Sequence, residues 1–113
     1  MSDNEQQRAR KAPGGGLRTI KLLVAAGDYD WSEKVQNAIE DGWFEPEDLE
    51  RCIATGKVAK VKKDVVGGSV GQKTYAIFGS DCSGCCFYTV GKIVKAASGQ
   101  EYFFITAHEL KRR

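Results

Sequence analysis

Histidine is almost missing from this chain of 113 residues, with His108 the only one. A Ser–His–Asp hydrolase is therefore a poor fit, and the glycine-rich stretch Gly67-Gly-Ser-Val-Gly71 does not restore it. That stretch lies between two strand-like segments rather than ahead of a helix, so it reads as a hairpin turn. It is neither a nucleophile elbow nor a phosphate-cradling loop. Long apolar runs are missing too. The longest is the five residues from Leu22 to Ala26, far short of the ~20 that a membrane helix needs. The first twenty residues contain no apolar core of a secretory signal. The expected setting is cytoplasmic, where the four cysteines are expected as thiols or metal ligands rather than disulfides.

What is present is ordinary for a globular chain: 42% hydrophobic and 28% charged residues, enough for one domain with one core. The net charge of +2 hides an asymmetry. Residues 28–50 hold nine acids against one base, Lys34, whereas residues 51–113 hold eleven bases and four acids. Such polarity suits a polyanion at one face and a basic partner at the other, or simply solvated charge on opposite faces.

Residues 1–16 have no apolar period and end in Pro-Gly-Gly-Gly. Such a composition cannot offset the entropy of ordering, so a disordered tail is expected there, with residues 17–113 as a single α+β domain. Arg8, Arg10 and Lys11 in the tail are placed to touch nucleic acid, or only to solubilise. Leu17, Ile20, Leu23 and Val24 fit a short helix stopped by Gly27, with a strand as the alternative. Asp30 and Glu33 have the spacing of a capping box, and Trp31, Val35, Ala38 and Ile39 follow as one apolar stripe up to Gly42. Pro46, with Glu47 and Asp48 behind it, starts another helix, whose inward face is Leu49, Cys52 and Ile53 and which Gly56 ends.

After Lys57 the rhythm changes. Val58–Val66, Lys73–Phe78, Cys86–Lys95 and Glu101–Ala107 are rich in β-branched and aromatic residues and are separated by turn residues. Tyr102 to Ile105 are apolar on both sides, as in a central strand covered on both faces. The expected fold is α+β: two or three N-terminal helices packed on a four-stranded, mostly antiparallel sheet.

The order of these segments resembles a bacterial domain of unknown function grouped with RelE-like and BrnT-like toxin folds. Trp31-Ser-Glu-Lys-Val35, Phe44-Glu-Pro-Glu-Asp-Leu-Glu50 and Thr55-Gly-Lys-Val58 carry its first part. Lys63-Asp64, Tyr75-Ala-Ile-Phe-Gly79, Phe87-Tyr-Thr-Val-Gly-Lys-Ile93 and Ile105-Thr-Ala-His108 carry its second. The resemblance spans residues 18–109 and implies a curved antiparallel sheet. It further implies an mRNA-cleaving or RNA-binding toxin neutralised by an antitoxin protein. The chain departs from it in having Lys34 where many relatives have a histidine, and in carrying three cysteines in one turn.

Cleavage of RNA needs a proton acceptor, a proton donor and cations around the phosphate. The residues available for the catalytic roles are His108, Arg112 and Lys92, with Tyr88 and Tyr102 as further polar groups. Lys60, Lys62 and Arg113 are the expected RNA-binding cations, Lys60 and Lys62 sharing one strand face. Aggregation-blocking lysines on an edge strand would look the same. Cys82 and Cys85 have the two-residue separation that lets two thiolates meet one zinc ion. Completing four ligands would require His108, Cys52 or a homodimer. The alternatives are a redox pair, or an ordinary turn with Cys86 facing the core. A non-enzymatic, metal-binding interaction domain is thus the second functional class.

Overall fold

A computed structural model describes residues 15–97 and 99–110. The elements run α1 (Gly15–Ala25), β1 (Tyr29–Trp31), α2 (Glu33–Glu40), α3 (Pro46–Thr55), β2 (Lys57–Lys63), β3 (Lys73–Ser80), β4 (Cys86–Ala96) and β5 (Gly99–Glu109). A single 3-10 turn, Val70–Gln72, leads into β3. The five strands form one mixed sheet in the order β1-β5-β4-β3-β2. Its four long strands are antiparallel neighbours, and β1 runs parallel to β5. No helix among the described residues is long and apolar enough to cross a membrane.

Several expectations need correction. The fold has a fifth strand, because Tyr29-Asp-Trp31 pairs with Tyr102–Phe104 instead of opening a helix. Helix α2 is capped by Ser32, not Asp30: the Ser32 hydroxyl accepts the Val35 N–H at 3.2 Å and donates to the Ile105 carbonyl at 2.8 Å. A serine that caps a helix and also ties it to the sheet outcompetes the capping box two residues earlier. Helix α1 begins at Gly15, inside the segment expected to be tail. The third helix follows its signals, with Pro46 in the first turn and Gly56 at its end.

All three helices pack on one face of the sheet. Ile20 and Val24 of α1, Val35 of α2, and Leu49, Cys52 and Ile53 of α3 are buried against Tyr75, Ile77, Phe87, Ile93, Tyr102 and Phe104. Lys21 of α1 reaches the last turn of α3, donating to the carbonyls of Ile53 at 2.6 Å and Ala54 at 2.9 Å. A cation there adds a charged donor at the negative end of the helix dipole, beside the Gly56 N–H that also reaches the Ile53 carbonyl. Helix α3 lies close on β3 because Gly79 has no side chain: a Cβ there would strike the Cys52 carbonyl and stand 2.9 Å from the Thr55 hydroxyl.

Among the described residues, no helix lies over the second sheet face. Strand β5 is interior to the sheet, yet only its Tyr102 and Phe104 side is buried, while Phe103 and Ile105 are half-exposed. The apolar run is therefore not evidence of cover on both sides. Tyr102 is fully buried and its hydroxyl has no partner among the described residues. An unpaired buried hydroxyl loses its hydration without compensation. Tyr102→Phe is therefore expected to leave urea stability unchanged or to raise it by about 1 kcal/mol.

Candidate nucleic-acid interface

Residues opposite one another in an antiparallel ladder point to the same side of the sheet. Lys57 pairs with Phe78, Phe78 with Tyr88, and Tyr88 with His108. Four side chains from four strands thus form one row across the uncovered face. Its rings are in contact: Phe78 and Tyr88 lie 4.8 Å apart between centroids at 46°, and Tyr88 and His108 lie 5.2 Å apart at 51°. Phe78 remains 44% exposed, which is unusual for so large an apolar ring. The next row, Lys60, Ala76, Val90 and Thr106, has short side chains at its centre. A shallow recess of about 200 Å³ results, lined by Lys60, Lys62, Thr74, Ala76, Tyr88 and Val90.

Two bulges assemble this face. The register shift between Val58 and Lys60 leaves Ala59 unpaired, so Lys57 joins Lys60 and Lys62 on the same side. The shift opposite Val90 and Gly91 leaves Ile105 unpaired, which brings His108 to the side of Phe103 and sends Ala107 to the core side. Among the described residues, no ion pair engages Lys57, Lys60 or Lys62. All three ammonium groups are exposed and open to an anionic partner.

The expected catalytic set does not converge. His108 is exposed in the aromatic row. Lys92 is half-buried, paired with Asp64 at 3.4 Å and donating to the Gly67 carbonyl at 2.8 Å, which ties down the loop after β2. Tyr102 is sealed in the core, on the opposite side of the sheet from Tyr88. Arg112 and Arg113, like Arg8, Arg10 and Lys11, lie outside the described residues.

The Asp64 carboxyl is held below the usual carboxylate range by the Ser69 hydroxyl beside it, by the Gly67 N–H and by Lys92, against the opposing effect of desolvation. A depressed folded value means that the clamp's stabilisation is complete above the unfolded carboxylate value of about 3.9 and is lost as pH falls through the lower folded value. Protection of the amides in residues 65–72, measured against the intrinsic exchange rate at each pH, is expected to fall below about pH 4 in the wild type. In Asp64→Asn it should already be low at pH 7, with the exchange of core amides unchanged.

The four cysteines differ in burial. Cys52 is fully buried, and burial pushes its thiol up to about 11 against the pull of Thr89 and the Gly79 backbone, as suits a small core residue. Cys86 is exposed at the start of β4, not turned to the core. Cys82 is exposed, and its N–H binds Asp48 at 2.9 Å. Desolvation and the Asp48 carboxylate raise its thiol, disfavouring the thiolate that metal binding and redox exchange require. Cys85 instead stands with Asp81 and Glu109, their donor atoms all within 4.8 Å of one another. That is room for a small cation, but Cys82 is not part of the group.

Of the residues singled out in the sequence, Lys60, Lys62, Tyr88 and His108 come together on one face, where Lys57 and Phe78 join them. Only strand register could have joined them. No family model, curated protein or solved structure matches the chain.

Proposed function

We propose that the protein binds single-stranded RNA across the uncovered face of its sheet. The observation that carries this reading is the row Lys57–Phe78–Tyr88–His108, with Lys60 and Lys62 beside it. Aromatic rings on an open sheet give unpaired bases a surface to stack on, and flanking lysines neutralise the phosphates between them. The core can spare these rings, since the helices cover only the opposite face. RNA, rather than single-stranded nucleic acid in general, is what the RelE-like and BrnT-like resemblance adds. The reading is one of binding without an assigned cleavage step: Lys92, one of the residues expected to act on RNA, is committed to Asp64.

Fluorescence anisotropy with labelled twelve-nucleotide RNA tests this. Three lysine–phosphate contacts give a logarithmic salt slope of about −2 on single strands, so affinity should fall roughly 15- to 20-fold from 50 to 200 mM salt. A blunt duplex of the same sequence should bind more weakly, its bases being already stacked. Absence of binding at 50 mM salt, or affinity indifferent to salt, would sink the proposal.

A further inference from the structure

Strand β5 has a free edge. Its neighbour β1 pairs only with Tyr102–Phe104, and Ser32 closes that contact by donating its N–H to the Phe104 carbonyl at 2.9 Å. Beyond it, no described strand lies beside residues 106–109 on the side away from β4. The hydrogen-bond phase of this stretch follows from one bond. Leu110 donates its N–H to the Cys86 carbonyl at 2.9 Å, and the register continues through Tyr88–His108 and Val90–Thr106. Backbone groups in an antiparallel ladder alternate in direction, so residues 106, 108 and 110 face β4. The N–H and C=O groups of Ala107 and Glu109 then face outward, in the register that an added strand would use.

A cleft of about 310 Å³ lies along this same edge, lined by Ala38, Trp43, Phe44, Ala107, His108 and Glu109. Three consecutive strand residues line it although their side chains alternate between the two sheet faces. The cleft must therefore open onto the strand's edge rather than onto either face. Its far wall is apolar, and Trp43 is 74% exposed there, with no described residue covering it. Among the described residues the local charge is negative: Glu109 lies in the cleft, and the exposed Glu40 and Asp41 immediately precede Trp43.

We infer that this edge takes an extended peptide from a partner protein, added as a sixth strand, with an apolar side chain seated against Trp43 and basic residues flanking it. Main-chain bonds to Ala107 and Glu109 supply affinity, and the cleft selects the side chain. The acidic surroundings select the flanks, and an unprotected edge of this kind is otherwise a liability for aggregation.

The test is a display selection of random heptapeptides on the full chain, repeated on Glu109→Pro and Trp43→Ala. Proline at 109 removes an N–H that points away from β4, so the native ladder stays intact. Trp43→Ala trims an exposed ring, and this keeps the test decisive if the proline variant fails to fold. The expected result is enrichment of peptides with an apolar residue between Lys or Arg, binding at least tenfold more weakly to either variant. Four results would overturn the inference: no enriched peptide, enriched peptides that are acidic, binding unaffected by Trp43→Ala, or sedimentation showing that a second copy of the chain occupies the edge.

Discussion

Lys60→Glu combined with Lys62→Glu should reduce single-stranded RNA binding at 100 mM salt by at least 30-fold. Each substitution removes a phosphate contact and places a repelling carboxylate in its stead, leaving Lys57 as the one remaining lysine of the three on that face. The salt slope should also shrink by about 1.4, the share of two phosphate contacts on a single strand. Tyr88→Ala separates stacking from charge. Base–aromatic stacking is worth about 1–3 kcal/mol, so affinity should drop roughly 5- to 150-fold with the slope unchanged. Tyr88 is half-exposed on the helix-free side, so neither variant should alter thermal unfolding much. If the lysine pair bound RNA as well as the wild type, the sheet face would not be the binding surface.

Gly79→Ala should destabilise the fold by about 3 kcal/mol, a large share of what a domain of this size holds in reserve. The added methyl collides with the Cys52 carbonyl, a backbone atom near the end of α3 that cannot rotate away. Gly56, on the helix side of the same contact, would meet Ile77 and the Phe78 carbonyl if it carried a Cβ. Relief would require α3 to lift from β3, exposing the buried Leu49, Cys52 and Ile53. At about 4–8 °C per kcal/mol for a small domain, the melting temperature should fall on the order of 15 °C. Gly84→Ala is the control: it has open space at its Cβ and pays only for its positive φ. An unchanged melting temperature for Gly79→Ala would mean that helix and strand are less closely seated than described.

Helix α3 and the long strands were legible because their signals are local. Pro46, the acids behind it and the stripe of Leu49, Cys52 and Ile53 all lie within ten residues, and each acts through its neighbours. Strand β1 was not legible. Three residues carry no period, and Trp31 continues a helical stripe as readily as it faces Phe104 across a parallel pair. The proposed RNA face was half-legible. Lys60 and Lys62 share a side through simple alternation, but Lys57 joins them only through the bulge at Ala59, and His108 meets Tyr88 only through the bulge at Ile105. The cysteine turn shows a related limit. Its spacing is local, but a ligand set is not, and the neighbour of Cys85 in space is Glu109, twenty-four positions away.

By itself the sequence determined where helix gives way to strand near Gly56, which residues are apolar enough to bury, and that acids gather before residue 51 and bases after it. Tertiary structure alone decided which sheet face stays uncovered, how Phe78, Tyr88 and His108 come into one row, and why β5 keeps an unpaired edge beside Trp43. The physical reason is that periodicity assigns a side chain to one of two faces within a strand. Pairing register, displaced by single-residue bulges, sets which faces of different strands coincide.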